Sequence, residues 1–258
     1  MNLTLKGHSG CRLEFISSSN KTVIRKTSSN ESYNERLKKQ CSKQDNFSHN
    51  TIKKPQVLNS GYQNGLFYFD MEYIPGQPLN QFIRQNTIDK ILHKIDSILE
   101  FIIGNLRNSS IADCEKEIKQ KLNSIELNYS IEKPSVNKVN SQVPIGYCHG
   151  DLTFENIIVN NDTIYLIDFL DSYLDSPLID LSKILQDLYL NWSNRNYKVH
   201  VLDLVRNQLI IQRIQNVIEE CRINPSTLEL QRKMTLLRIL PYTDDLKIQL
   251  KIIENLKK

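Results

Sequence analysis

His149-Gly150-Asp151-Leu152-Thr153-Phe154-Glu155-Asn156, followed by Ile167-Asp168-Phe169, is the stretch that decides how this 258-residue chain is read. Four residues separate Asp151 from Asn156, the span of a compact loop that aims two polar side chains in different directions. Ile157-Ile158-Val159, the polar turn Asn160-Asn161-Asp162 and Ile164-Tyr165-Leu166-Ile167 predict a hairpin of two short apolar strands. Such a hairpin returns Asp168 beside Asn156. A carboxylate and an amide oxygen held together are hard ligands that leave coordination positions for phosphate and water, which suits magnesium and not zinc. Transfer of a γ-phosphoryl group from ATP needs such ligands, together with an acceptor for the proton of the receiving hydroxyl. Asn156 and Asp168 suit the first task and Asp151 the second. Each residue alone would more often cap a turn or end a strand; it is their joint spacing that points to this chemistry.

These residues resemble the signature of the aminoglycoside phosphotransferase family, a branch of the protein-kinase-like fold with choline and homoserine kinase relatives: His-Gly-Asp, four residues, Asn, then an Ile-Asp-aromatic segment. The resemblance implies Asp151 as catalytic base, Asn156 and Asp168 as magnesium ligands, and His149 as structural support for the loop. Asp180, in Ser176-Pro177-Leu178-Ile179-Asp180-Leu181, is similar to the family's later acid that braces the catalytic loop. The implied fold is α+β and two-lobed, with a small antiparallel-sheet N-lobe carrying one helix and a larger, mainly helical C-lobe. The resemblance spans roughly residues 3 to 190. Gly150 stands where protein kinases usually have arginine, and no lysine follows two positions after Asp151. Both departures favour a small-molecule acceptor over a protein.

The length suits a single two-lobed enzyme with a substantial core. With 40% hydrophobic and 24% charged residues the chain is globular, and no segment approaches a membrane span or a secretory leader, so a cytoplasmic protein without membrane attachment is expected. The five cysteines, Cys11, Cys41, Cys114, Cys148 and Cys221, are scattered and lack metal-ligand spacing, which predicts reduced thiols. A net charge of +4 falls short of a dedicated nucleic-acid binder. The basic cluster Arg36, Lys38, Lys39, Lys43, Lys53 and Lys54 is interrupted by acids and reads as a solvated face. No nucleic-acid partner is expected.

Residues 3 to 26 predict an antiparallel meander of strands. Gly7, Ser9 and Gly10 form a turn whose backbone amides can approach a triphosphate closely. The strand Thr22-Val23-Ile24-Arg25-Lys26 ends in two cations, of which alternation turns only one inward to hold phosphates. Lys26 fits the Val-x-Ile-Lys pattern, with Arg25 the alternative. Ser28-Ser29-Asn30-Glu31 has capping-box form and predicts a helix to about residue 40. Glu35 on that helix is a candidate partner for the cation, against an exposed i,i+4 pair with Lys39; Glu31 is the other candidate. Leu66 to Tyr73 reads as a buried strand, after which Ile74-Pro75-Gly76-Gln77-Pro78 breaks the structure. The predicted division is an N-terminal nucleotide-binding lobe over residues 1–73, a hinge over 74–78 and a catalytic and acceptor-binding lobe over 79–258. The resemblance implies that main-chain groups at about Glu72 and Ile74 hydrogen-bond adenine.

Ile88, Ile91, Leu92, Ile95, Ile98, Leu99 and Ile102 recur at helical intervals and predict a helix with one buried stripe. Residues 111–127 read as a more polar helix, 129–144 as a loop, and the chain after Asp180 as helices over about 181–193, 197–222, 226–239 and 243–257. Asp171, Asp175, Tyr173 and Trp192 are acceptor-site candidates, each with an ordinary turn or core role as its alternative. Together the residues and the resemblance lead to an ATP- and magnesium-dependent phosphotransferase acting on the hydroxyl of a small molecule such as a sugar, aminoglycoside or amino alcohol. The rivals are a nucleotide-binding pseudokinase acting through partners and, with no Ala-Pro-Glu element after Asp168 to support it, a protein kinase.

Overall fold

The computed structural model describes residues 4–6, 10–18, 21–127, 131–243 and 245–257. In chain order the elements are β1 (Thr4–Lys6), β2 (Arg12–Ser18), β3 (Lys21–Thr27), α1 (Asn34–Asn46), β4 (Ile52–Lys53), β5 (Val57–Gln63), β6 (Leu66–Glu72), β7 (Gln77–Pro78), α2 (Leu79–Gln85), α3 (Ile88–Arg107), β8 (Ser110–Asp113) and α4 (Glu115–Asn123). There follow β9 (Gln142–Ile145), β10 (Ile157–Asn160), β11 (Thr163–Leu166), α5 (Pro177–Leu190), α6 (Val201–Glu220), α7 (Pro225–Ile239) and α8 (Leu246–Lys257). The chain forms two compact units: Met1–Pro78 with Asn156–Asp171, and Leu79–Glu155 with Ser172–Lys258.

The first unit carries an antiparallel sheet in the order β1-β2-β3-β6-β5. Period-two alternation sorts β6: Phe67, Phe69 and Met71 turn to one face and pack with Leu37 and Cys41 of α1. Asn34 fastens the helix to the β5–β6 turn, donating to the Gly65 carbonyl at 2.8 Å and accepting from the Phe67 amide at 2.9 Å. The helix starts later than the capping-box reading placed it. Asn30, not Ser28, accepts from the Tyr33 amide and opens a short 3-10 turn, and α1 then runs six residues past Gln40 to Asn46.

The hairpin β10–β11 forms as its alternation predicts, with Ile157 opposite Leu166 and Asn160 opposite Thr163. It lies in a second sheet, β4-β11-β10-β7, in which β4 runs parallel to β11 and β7 antiparallel to β10. Because β4 and β7 come from the segment before residue 79, this sheet makes the hairpin part of the first unit, whereas the sequence reading assigned it to the second lobe. Gly76 allows the close approach: a Cβ there would stand 2.7 Å from the Ile158 Cγ2 and 2.8 Å from the Val159 carbonyl oxygen.

The second unit is mainly helical. Ile91, Ile95, Ile98, Leu99 and Ile102 form the buried stripe of α3. Helix α5 is buried almost throughout, opened by Ser176 as N-cap with Pro177 in the first turn and closed by Asn191 in the left-handed region. Its Ile179 and Leu190 join Ile118, Met234, Leu237 and Ile252 in one apolar cluster. The sequence reading of 111–127 as helix and 129–144 as loop is corrected here. Ser110–Asp113 and Gln142–Ile145 pair as an antiparallel ribbon, and the helix between them is confined to Glu115–Asn123. Among the described residues no helix is long and apolar enough to cross a membrane.

Candidate active site

In the first unit, β3 presents its two cations to opposite faces, as alternation requires. Lys26 sits opposite Phe69 on the face covered by α1, and Arg25 sits opposite Asp70 on the other. Lys26 is 5% exposed and its ammonium pairs with Asp168, a residue 142 positions away, while Gln40 of α1 accepts from it at 3.2 Å. Burial disfavours the charged lysine, but the Asp168 carboxylate more than compensates and holds its pKa above the ordinary value. Asp168 follows β11 with φ of 60°, a left-handed conformation that aspartate tolerates better than most residues. The Ile167 amide donates to the Asn156 carbonyl at 3.0 Å, which sets Asn156 opposite the residue before Asp168. A buried cation and a carboxylate are thus paired within the unit that also holds Asn156.

In the second unit the His149–Glu155 loop is held from beneath by carboxylates on α5. Asp180 accepts from the amides of His149 at 2.6 Å and Gly150 at 2.8 Å. Gly150 has φ of 92°, a conformation side-chain-bearing residues rarely adopt, which explains glycine at this position. His149 is fully buried, and its Nδ1 accepts from the Asp151 amide at 3.3 Å. Two turns further along α5, Asp187 accepts from the Phe154 amide at 2.6 Å and from Ser193 through its amide at 2.7 Å and hydroxyl at 2.9 Å. Burial pushes the Asp187 carboxyl up to about 6 despite these donors. Asp151 itself pairs with Lys183 of α5 at 2.9 Å. Burial opposes its ionisation, yet Lys183 holds its pKa below the usual carboxylate value.

The Asp180 arrangement has a measurable consequence. Asp180→Ala leaves two buried amides without their acceptor, and each such group costs about 1–3 kcal/mol. A loss of about 3 kcal/mol in denaturant unfolding is expected; an unchanged unfolding midpoint would show that the carboxylate does not brace the loop.

Several sequence-predicted residues lie elsewhere. Glu35 does not meet Lys26: it is exposed and pairs with Lys38 at 3.0 Å, and the α1 residue that reaches the lysine is Gln40. Glu31 is exposed in the 3-10 turn before α1. Arg25 forms a two-pronged bond to Asp70, at 2.7 and 2.8 Å, and lies over the Tyr68 ring, away from Asp168. Gly7 and Ser9 lie outside the described residues; Gly10 is exposed just before β2. Glu72 ends β6 with its amide bonded to the Gln56 carbonyl at 3.0 Å, and Ile74 follows, partly buried. Of the acceptor candidates, Asp171 lies 3.7 Å from Lys39, Asp175 accepts from the Cys148 thiol at 3.6 Å, and the Tyr173 hydroxyl donates to Gln231 at 2.6 Å. Trp192 packs against the apolar cluster of the second unit, with Arg195 over its ring.

Three residues escaped the sequence reading: Gln40, Asp187 and Lys183. For Lys183 a signal existed, because it stands three positions after Asp180 and therefore on the same helical face.

Residues 112–201 match the model of the phosphotransferase enzyme family. The matched segment contains Asp151, Asn156, Asp168, Asp180 and Lys183, so the family recognised from the motif is borne out over the stretch that carries it. The protein LicA of Haemophilus influenzae is 33% identical over 54 residues, which is 21% of this chain and 20% of that protein. The alignment therefore spans only a fifth of that curated relative. Among solved structures, a thermostable mutant of the aminoglycoside phosphotransferase APH(4)-Ia, in ternary complex with AMP-PNP and hygromycin B, superposes with a TM-score of 0.65 at 12% identity, covering 99% of this chain and 93% of that one. Choline kinase LicA from Streptococcus pneumoniae gives 0.60 at 14% identity, covering 100% and 93%. A putative fructosamine-3-kinase from Haemophilus somnus 129PT gives 0.56 at 13%, covering 99% and 91%. At these identities the likeness is one of fold, and it bears out the α+β, protein-kinase-like architecture expected from the sequence.

Proposed function

We propose that this chain is an ATP- and magnesium-dependent phosphotransferase that moves the γ-phosphoryl group to a hydroxyl of a small molecule, of the sugar, aminoglycoside or amino-alcohol kind. The observation that carries this reading is the pairing of buried Lys26 with Asp168 across 142 positions of sequence. A cation kept out of solvent beside a carboxylate matches what a nucleotide's phosphates and their metal require. Among the described residues no three His, Cys, Asp or Glu side chains gather into a metal cluster. A single carboxylate with a neighbouring amide oxygen nevertheless fits magnesium, which takes its remaining ligands from phosphate and water. Asp168 and Asn156 would hold that ion, whose chemistry is to neutralise charge on the phosphates.

Lys26 is assigned to the nucleotide's phosphates, with Gly7, Ser9 and Gly10 as the covering turn and Glu72 and Ile74 as the adenine-binding main chain. Arg25 and Glu35 are left out of this assignment. Asp151 orients the acceptor hydroxyl and receives its proton, on a loop held by His149 and Asp180. Residues 1–73, with Asn156 and Asp168 of the later hairpin segment, then serve the nucleotide and its metal, 74–78 link the lobes, and the rest of 79–258 serves the acceptor. All five cysteines are free thiols, in keeping with a reducing cytoplasm.

The test is incubation of the purified protein with radiolabelled ATP, magnesium and a panel of sugars, aminoglycosides and amino alcohols. Label on one acceptor class is expected. Nucleotide binding without transfer to any acceptor would replace the proposal with a binding module, and label on proteins alone would replace it with a protein kinase.

A further inference from the structure

Lys183 is 7% exposed as a residue and its ammonium lies 2.9 Å from an Asp151 carboxylate oxygen. Lysine is rarely buried this deeply without a compensating partner, because desolvation disfavours the charged form. The pair joins two elements of one unit, the His149–Glu155 loop and helix α5. Asp180 and Lys183 lie three positions apart on the same helix, so one face of α5 grips the loop backbone with a carboxylate and the loop's own carboxylate with a cation. The titratable groups that act on Asp151 include Lys183 from α5, His149 from the loop and Arg238 from α7, and all three favour its ionised form.

We propose that Lys183 is the positioning residue of Asp151, fixing the direction of its carboxylate and keeping it ionised so that it orients the acceptor hydroxyl. This rests on the phosphotransferase reading above. In the reaction the hydroxyl oxygen bonds to the γ-phosphorus while the bond from that phosphorus to the β,γ-bridging oxygen breaks, and the bridging electron pair leaves with ADP. The hydroxyl proton passes to Asp151. A carboxylate held by a lysine is a weak base, so it takes the proton late, once bond formation has made the hydroxyl acidic. Orientation, more than basicity, is then what Asp151 contributes. The lysine that protein kinases carry two positions after this aspartate is absent from the loop, and here a helix supplies the cation from a different part of the chain.

The experiment compares wild type with Lys183→Met and Lys183→Arg by carbon-13 titration of aspartate carboxyls from about pH 4 to 8, using Asp151→Asn to assign the signal. In wild type the Asp151 signal is expected to stay ionised throughout. In Lys183→Met it should titrate within that range, and Lys183→Arg should restore the wild-type behaviour. With the acceptor found in the panel, Lys183→Met should lower kcat about 10- to 100-fold, raise the acidic limb of the pH profile, and leave the KM for ATP within about twofold. In an Asp151→Asn background the same substitution should cost less than about twofold. Arginine rescue and loss of the effect in that background separate positioning from a purely structural role. An unmoved Asp151 signal in folded Lys183→Met, or an equal kcat loss in both backgrounds, would overturn the inference. If wild type transfers phosphate to no acceptor, the phosphotransferase reading fails, while the titration still decides whether Lys183 governs Asp151.

Discussion

Asp151→Asn is expected to lower kcat about 10³-fold with the KM for ATP held within about twofold. Asparagine keeps the volume and planar shape of aspartate, and the loop backbone is fastened by other groups: Asp180 holds the amides of His149 and Gly150, and Asp187 holds that of Phe154. What disappears is the negative charge proposed to accept the hydroxyl's proton. The substitution also leaves the buried Lys183 without its counter-charge, so some loss of stability accompanies the loss of rate. Thermal melts and ATP affinity separate the two effects. A variant that stays folded, binds ATP normally and turns over within tenfold of wild type would remove Asp151 from the reaction.

Asp168→Ala is expected to cost a comparable factor, about 10³ in kcat, for a different reason. Charge neutralisation on the phosphates supplies much of the barrier reduction in phosphoryl transfer, and Asp168 is the only carboxylate in the proposed magnesium ligand set. Two side effects are built into this variant. Lys26 loses the partner that stabilises its charge in a buried position, and alanine must adopt the φ of 60° that aspartate occupies, at a cost of about 1–2 kcal/mol. Asp168→Asn avoids the second, since asparagine tolerates the left-handed region. Both variants should therefore lose activity while Asp168→Ala is the less stable, a pattern read from kinetics and melting temperature together. If folded Asp168→Asn kept wild-type turnover, the ligand assignment would be lost.

The parts of this molecule that were legible in the sequence are those whose cause is local. The β10–β11 hairpin follows from two apolar runs and a polar turn, and α3 from a repeat of isoleucine and leucine. That Lys26 and Arg25 turn to opposite faces follows from alternation, and that Lys26 is the buried one follows once one face of the strand is known to be covered by α1. Other features depend on partners far along the chain. The β8–β9 ribbon joins segments about thirty residues apart, and nothing in Ser110–Asp113 alone distinguishes a strand from the start of a helix. Glu35 was misplaced because charge type outweighed geometry. Gln40 lies five residues further, about 140° around the helix at 100° per residue, on the face that meets Lys26. Lys183 was legible in principle, given Asp180, but only after deciding that α5 faces the loop.

The second sheet of the first unit also orders the birth of the protein. Strands β4 and β7 leave the ribosome well before β10 and β11, so their pairing must wait until residue 166 has been synthesised. Most of the helical unit's first half is made in the meantime. An N-terminal fragment ending at Pro78 would present two orphaned strand edges, and the five-stranded sheet with its helix is the part able to organise early, as a scaffold awaiting closure by a later stretch of the same polypeptide.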